Sequence, residues 1–235
     1  MAGVTISPSY AANDTEIYIV QGLPGKNLDV AIDGESVVED VKTAEVKGPF
    51  KVEPGSRSVT FSEDGTTVLE NTFSIKEGSK ADIVAHLPAS SSGDPLVTVY
   101  KYDDVKVPKG KAFLVVSHVA AVPPADVRVD ETVLFENIAN GESLELMVPV
   151  ATYKVDIVPT KETEPVFFGP VSLTVQGGAI NRVYALGDPE KKTMNVAVHV
   201  ITVGTTGSGK PSEVNTGTGG QAVGDGDSLA VNLVR

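Results

Sequence analysis

Histidines and acidic clusters are the groups that could support catalysis or metal binding in this 235-residue chain, which contains no cysteine. His86 and His199 lie in or beside strand-like runs, where a hydrogen-bonded structural histidine is expected. His118 lies on a loop and, with Asp126, is the candidate for a loop site. An enzyme of unrecognised type would need a concave pocket in which His118 meets a carboxylate.

Established catalytic motifs are missing from the sequence. There is no G-x-S-x-G elbow, H-E-x-x-H pair or P-loop. "GTTGSGK" at residues 204–210 has the wrong glycine spacing for a phosphate loop and continues into a proline. The sequence therefore predicts no catalytic residue, no cofactor-binding residue, no metal ligand set and no enzymatic activity.

Three short acidic stretches place oxygen ligands close together: "YDD" at 102–104, "SEDG" at 62–65 and "GDGDS" at 224–228. Calcium needs six to eight oxygen ligands, and no stretch repeats the twelve-residue EF-hand loop. We interpret these residues as solvated turns and expect no cofactor. Calcium held between domains is the alternative.

Charge and composition narrow the class of protein. The 19 basic and 31 acidic residues give a net charge of −12, which disfavours binding to nucleic acid. No apolar run approaches the ~20 residues of a membrane span. The start, "MAGVTIS", lacks the basic and apolar regions of a signal peptide. The apolar set is dominated by valine, and glycine and proline supply many turns, which predicts an all-β fold.

The chain contains the same pattern twice. "NLDVAIDGESVVEDV" from residue 27 aligns with "PADVRVDETVLFENI" from residue 124 at an offset of 97 residues. "VEPGSRSVTF" from Val52 matches "VPVATYKVDI" from Val148 at an offset of 96. "FSIKEGSKADIVA" from Phe73 matches "LTVQGGAINRVYA" from Leu173 at an offset of 100. The small drift, confined to positions between strands, predicts a tandem duplication.

Alternating apolar and polar residues predict about seven short strands in each copy, hence two tandem immunoglobulin-like β-sandwiches. "IDGES" and "EDGTT" are Asp-Gly hairpin turns. The matching "VDETV" lacks the glycine and predicts a different turn type. The predicted organisation is a first sandwich at 1–103, a linker at 104–111, a second sandwich at 112–204, a flexible Gly/Ser/Thr-rich spacer at 205–228 and an apolar end at 229–235.

Each copy resembles the bacterial and archaeal domain of unknown function 4397, whose pattern opens with V-H-A-S-P-D-A-P-x-V-D-V-Y-V-D-G. The second copy keeps "VSHVAAVPPADVRVD", "VPVATYKV" and "LTVQGGAINRVYAL". The first keeps "LDVAIDG", "VEPGSRSV" and "IKEGSKADIVA" but has "VQGLPGKN" in place of the His-Ala-Ser-Pro stretch. The resemblance extends to about residue 204. It implies the fold and an extracellular or cell-surface location, and it carries over no catalytic residue.

The apolar end "SLAVNLVR" has three interpretations: the stump of a membrane anchor, a strand that returns to its own domain, or a strand donated to a neighbour through Leu229, Val231, Leu233 and Val234. "VNTG", within the spacer, lacks the leucine-proline start of a sortase signal. We expect a non-enzymatic structural or adhesive surface protein, a filament or matrix subunit, that self-associates by strand exchange through "SLAVNLVR" or the N-terminal "GVTISPSY" or binds another surface protein or polysaccharide. The alternative is a surface-anchored module that binds carbohydrate or peptide through sandwich loops. The lack of tryptophan and the 6% aromatic content weaken that alternative.

Overall fold

The computed structural model describes residues 15–102, residues 105–203 and the main chain of residues 205–206, and all regular structure in these residues is β-strand. The first half of the chain contains β1 (Glu16–Gln21), β2 (Leu28–Ile32), β3 (Glu35–Val41), β4 (Val46–Lys51), β5 (Gly55–Glu63), β6 (Thr66–Ile75), β7 (Lys80–His86) and β8 (Leu96–Tyr102). After the short strand β9 (Val107–Pro108), the second half contains β10 (Lys111–Ala120), β11 (Ala125–Val129), β12 (Thr132–Ile138), β13 (Ser143–Pro149), β14 (Thr152–Pro159), β15 (Phe168–Thr174), β16 (Ala179–Gly187) and β17 (Asn195–Thr202). A last short strand, β18, covers Thr205–Thr206.

Each half forms a sandwich of two four-stranded sheets, which confirms the predicted fold class. We name the sheets by position. The first inner sheet has the order β4-β1-β7-β8, and the first outer sheet has the order β3-β2-β5-β6. The second inner sheet, β13-β10-β16-β17, and the second outer sheet, β12-β11-β14-β15, repeat this order strand for strand. The order includes the parallel pairs β1–β7 and β10–β16.

Strand pairing within the two halves agrees with the sequence offsets. Val30 on β2 pairs with Phe61 on β5, and Val127, 97 residues later, pairs with Ile157, 96 residues after Phe61. Because a one-residue slip would turn every side chain to the wrong face of its sheet, matching registers preserve the same core positions in both sandwiches.

The hairpin turns of β2–β3 and β11–β12 are alike, and the prediction of different turn types was wrong. Asp33 and Gly34 both have positive φ, at 50° and 84°, and so do Asp130 and Glu131, at 47° and 66°. Positive φ at both central residues is the type I′ geometry that matches the twist of hairpin strands. The pairing of the strands therefore holds Glu131 in a conformation that favours glycine.

Strand β7 of the first inner sheet is buried on both faces. On β7, Ala81, Ile83 and Ala85 pack in the core of the first sandwich, whereas Val84 packs against residues of the second half. The cluster between the halves contains these buried residues: Val20, Val84, Tyr100, Val119, Tyr184, Leu186 and Ala197. The two inner sheets therefore pack against each other and join the sandwiches by a face-to-face interface.

Part of the predicted linker and the start of the predicted spacer pair with each other. β9 lies within the stretch predicted as linker, and β18 lies at the start of the stretch predicted as spacer. They form a two-stranded parallel sheet in which Val107 pairs with Thr205. Val107 is fully buried. The chain after Thr206 thus departs from a point beside the beginning of β10, since β9 and β10 are in contact.

Candidate functional site

Asp82 lies at the centre of β7 and is fully buried between the two inner sheets. Across the interface, Nε of Arg182 is 3.1 Å from its Oδ2 atom, and Nδ1 of His199 is 3.0 Å from Oδ1. The hydroxyl of Tyr184 donates to Oδ2, and that of Tyr102 donates to Oδ1 over 3.1 Å. One carboxylate of the first half thus binds three side chains of the second. We call Asp82, Tyr102, Arg182, Tyr184 and His199 the interface cluster.

Asp82 and Arg182 occupy equivalent positions in the duplicated pattern. They are 100 residues apart, which is the offset of this part of the alignment. They also occupy the same register position in the equivalent parallel pairs β1–β7 and β10–β16. Tyr100 and His199 are also equivalent, since Tyr100 pairs with Asp82 and His199 pairs with Arg182. The two halves have therefore diverged at matching positions into complementary partners.

The electrostatics of the interface cluster fix its charges. Burial raises the pKa of the Asp82 carboxyl, but the hydrogen bond and charge of His199, the charge of Arg182 and the Tyr184 hydroxyl together lower it below its ordinary value. Burial raises the pKa of the Tyr184 hydroxyl well above its ordinary value. The guanidinium of Arg182 lies 4.6 Å from the centre of the Tyr102 ring, a cation–π contact.

This arrangement holds the sheets together and occupies the carboxylate of Asp82 and the hydroxyl of Tyr184. Both oxygens of Asp82 already accept hydrogen bonds, and Tyr184 keeps its proton at neutral pH because burial disfavours the phenolate. A buried carboxylate that already has several donors contributes to structure more directly than to proton transfer. We therefore interpret the interface cluster as an electrostatic link between the sandwiches.

Polar contacts at one end of the interface extend this link. The Asn140 amide donates to Leu87 O in the first half over 3.1 Å and to Ala120 O in the second over 2.8 Å. The Tyr100 hydroxyl donates to Gly141 O over 3.0 Å. Nearby, His86 is fully buried, with Nδ1 2.7 Å from Leu87 O and Nε2 2.7 Å from the Thr98 hydroxyl. Burial lowers the pKa of His86 to about 4, so its imidazole is neutral at pH 7.

His118 lies on β10 and not on a loop as predicted, and its side chain holds the loop that follows this strand. Its Nδ1 accepts the Ala120 N–H over 3.4 Å, and its Nε2 is 3.2 Å from Pro123 O. A ring whose Nδ1 accepts carries its proton on Nε2, so the bond to Pro123 is a donation. Burial lowers the pKa of His118, which favours this neutral form. Both ring nitrogens are thus used by the main chain of the loop.

Asp126, the other candidate, also binds main chain. Its Oδ1 accepts the Asn137 N–H over 2.7 Å and its Oδ2 accepts the Lys161 N–H over 2.9 Å. Asn137 and Lys161 both have positive φ, at 57° and 65°. A cavity of about 10 Å³ lies beside His118, but neither Asp126 nor any other carboxylate lines it. The structure therefore does not bring the two candidates together as a reactive pair.

A comparison with protein families identifies much of this framework. The model of the Domain of unknown function (DUF4397) matches residues 15–126. Residues 15–126 are therefore similar to this domain family. The DUF4397 match begins one residue before β1, covers the whole first sandwich and ends in β11 of the second. No curated protein matches the sequence.

The DUF4397 stretch shows how the first half replaces His118. Gln21 lies 97 residues before it, and its amide oxygen accepts the Leu23 N–H over 2.5 Å while its Nε2 donates to Lys26 O over 2.8 Å. His118 makes the same two contacts, with the N–H two residues later and the carbonyl five residues later. The changed opening loop of the first half therefore keeps the same clamp.

Of the three acidic stretches in the sequence, only part lies within the described residues. Within "SEDG", Glu63 forms an ion pair with Lys26, and Asp64 lies in the turn with φ of 50°. Asp103, Asp104, the "GDGDS" stretch and the apolar end with Leu229, Val231, Leu233 and Val234 lie outside the described residues. Residues 15–102 and 105–203 contain no group of three or more His, Asp or Glu side chains arranged to hold a metal ion, and no helix suited to crossing a membrane.

Sequence reasoning identified His199 as a structural histidine but missed Asp82, Arg182 and Tyr184. The signal was present in the alignment at an offset of 100, which places an aspartate opposite an arginine in two mostly apolar strands. Charged residues at the centre of such strands are almost never fully buried unless they are paired. Opposite charges at equivalent positions could therefore have indicated an interface between the copies.

Proposed function

We propose that this protein is a non-enzymatic structural or adhesive component of the cell surface or extracellular matrix, and that its copies assemble by exchanging β-strands. The observation that supports this most is the use of its polar residues. His86, His118 and Asp126 bind main chain or side chains of their own sandwich, and the interface cluster joins the two sandwiches into one unit.

A joined pair of sandwiches suits a load-bearing subunit. Separation of the sandwiches would expose the apolar cluster between the inner sheets to water, so burial of this cluster favours the joined state. The acidic surface suits a protein that stays soluble until a specific contact forms. Assembly through main-chain hydrogen bonds at a sheet edge needs no cofactor and no catalytic group.

Light scattering and negative-stain imaging of the full chain and of a chain ending at Thr206 test the proposal. The truncation point keeps β18, which pairs with β9. We expect assemblies of the full chain that become single copies on truncation. Single copies in both cases would refute assembly through the C-terminal segment and would favour a surface-anchored binding module.

A further inference from the structure

The four sheets have eight edge strands, and most of these are irregular. The register between an edge strand and its neighbour shifts at five of them: β3, β4, β6, β12 and β15. Such irregularities discourage the addition of another strand. The pairing is regular along the other three edges, β8, β13 and β17.

Among these three, β13 has the most exposed apolar surface. Leu144 and Leu146 are 39% and 41% exposed, and Val150, just beyond the strand, is 47% exposed. β8 has one large exposed apolar residue, Leu96, at its first position, and β17 has none. Exposed leucines along a regular edge are the features that natural proteins usually avoid.

The main chain of β13 is available for pairing. The Glu142 carbonyl accepts from His118 N at one end, and Val150 N donates to Gly110 O at the other. Because bonded and non-bonded pairs alternate in an antiparallel ladder, the even-numbered residues bond to β10. The N–H and C=O groups of Ser143, Glu145 and Met147 therefore point to the open edge.

The equivalent edge of the first half is blocked. Phe50 on β4 pairs with Ile17, as Leu146 on β13 pairs with Leu114, so Pro49 occupies the position of Glu145. A proline offers no N–H to an added strand, and β4 also has an irregular register at this point. The duplication has thus left one of two equivalent edges open.

The negative charge of Glu145 on β13 disfavours some added strands and favours others. If two copies of β13 paired antiparallel with Leu144 opposite Leu146, Glu145 would face Glu145, and like charges directly opposite are destabilising. Residues 228–235, "SLAVNLVR", contain no aspartate or glutamate and one arginine, Arg235, and Leu229, Val231 and Leu233 alternate with Ala230, Asn232 and Val234. The other terminal segment, "GVTISPSY", contains a proline.

We propose that β13 is the acceptor edge and that residues 228–235 of a second copy add to it as a strand. This rests on the proposed strand exchange and specifies its acceptor. The alternating Leu229, Val231 and Leu233 lie on the face of Leu144 and Leu146 and cover them. Twenty-one residues separate β18 from this segment, and a random-coil chain of 21 residues spans roughly 25 Å on average.

Disulfide trapping tests the proposal in the full chain, whose lack of cysteine gives a clean background. Copies carrying Glu145→Cys are mixed with differently tagged copies carrying Asn232→Cys and oxidised with oxidised glutathione. The expected result is a disulfide-linked dimer that carries both tags. The matched control is Lys101→Cys, an exposed position on the regular edge β8, for which we expect only background cross-linking.

A second variant separates the acceptor from the assembly itself. Glu145→Pro removes an N–H that points to the open edge, so the pairing of β13 with β10 is kept and the urea unfolding midpoint changes little. We expect this variant to lose assembly in light scattering. If Glu145→Pro still assembles and Glu145→Cys cross-links no better than Lys101→Cys, β13 is not the acceptor although strand exchange stands.

Two other outcomes would also overturn the proposal. If truncation at Thr206 leaves the assemblies unchanged, residues 228–235 are not the donated strand, and this proposal is overturned. If a chain carrying both cysteines closes only on itself, the segment folds back onto its own copy, and the claim of a second copy is overturned.

Discussion

Asp82 and Arg182, equivalent residues of the two duplicated halves, meet between the inner sheets with Nε and Oδ2 3.1 Å apart. Their side chains are 0% and 6% exposed, so water screens the pair little. The duplication thus supplied both members of the ion pair that joins its own copies.

Substitution of Asp82 by alanine should destabilise the protein strongly. It leaves the Arg182 guanidinium buried without its counter-charge, which costs ~3–5 kcal/mol. The measurement is the free energy of unfolding from urea denaturation at pH 7. Glu63→Ala is the matched control because it breaks the partly exposed Lys26 pair, and we expect it to cost less than ~1 kcal/mol. Equal costs for the two variants would contradict a stabilising interface cluster.

Acidification should weaken the fold between pH 6.5 and about 4. Burial lowers the pKa of His86 from 6.5 to about 4, so in this range the unfolded state binds more protons than the folded state. Stability is therefore complete above pH 6.5 and falls as the pH falls, by ~3 kcal/mol in total. His86→Gln should flatten the pH dependence of the unfolding free energy in this window. An unchanged slope would show that His86 is not the group responsible.

Asp82 should add a separate loss at lower pH. The pKa of Asp82 is lowered in the folded state, so its contribution is present above its ordinary value of 3.8 and is lost as the pH falls through the lower folded value. In urea titrations, Asp82→Asn should remove this component below pH ~4 and leave the component between pH 6.5 and 4 in place. A change confined to the higher window would argue against this assignment.

His118→Gln should preserve the loop after β10. Gln21 makes the same pair of contacts at the equivalent position of the first half, so glutamine has the required donor and acceptor. His118→Ala removes both and should lower the urea midpoint, by ~1–3 kcal/mol of unfolding free energy. The histidine would have a role other than holding the loop if alanine were tolerated as well as glutamine.

Alanine substitutions of Asp29 and Asp126, which are equivalent in the two halves, should lower the free energy of unfolding by different amounts. Asp126 accepts two main-chain N–H groups, whereas Asp29 accepts one, from Asp40 over 3.0 Å. Asp126→Ala therefore leaves two donors unpaired and should cost ~1–3 kcal/mol, and Asp29→Ala should cost about half as much. Thermal or urea unfolding of the two variants gives the comparison. A larger loss for Asp29→Ala would contradict this assignment of the bonds.

The sequence predicted the sandwiches because their determinants are local. Alternation within short strands, turns such as that at Asp33 and Gly34, and the constant offsets between copies all depend on neighbouring residues or on self-similarity. The loop clamp was harder to foresee, since Gln21 and His118 share a position but not a residue type. Only their common spacing to a later N–H and carbonyl reveals the equivalence.

The interface was missed because its partners are about 100 residues apart. On β7, Asp82, Val84 and His86 alternate with Ala81, Ile83 and Ala85, a pattern that is typical of a strand with one solvent-facing side. The polar face is buried only because β16 and its sheet cover it. The alternation is therefore enough to indicate a strand with one core face, whereas burial of its second face depends on the tertiary partner.

The positions of Asp82 and Arg182 also determine which halves can associate. If two copies of the first half met in the same geometry, two buried aspartates would face each other, and two copies of the second half would oppose two arginines. Like charges in a low-dielectric site repel strongly, so this interface favours contact between unlike halves over contact between like ones. The two sandwiches are therefore alike in fold but carry opposite charges on the faces that meet, so they are not interchangeable.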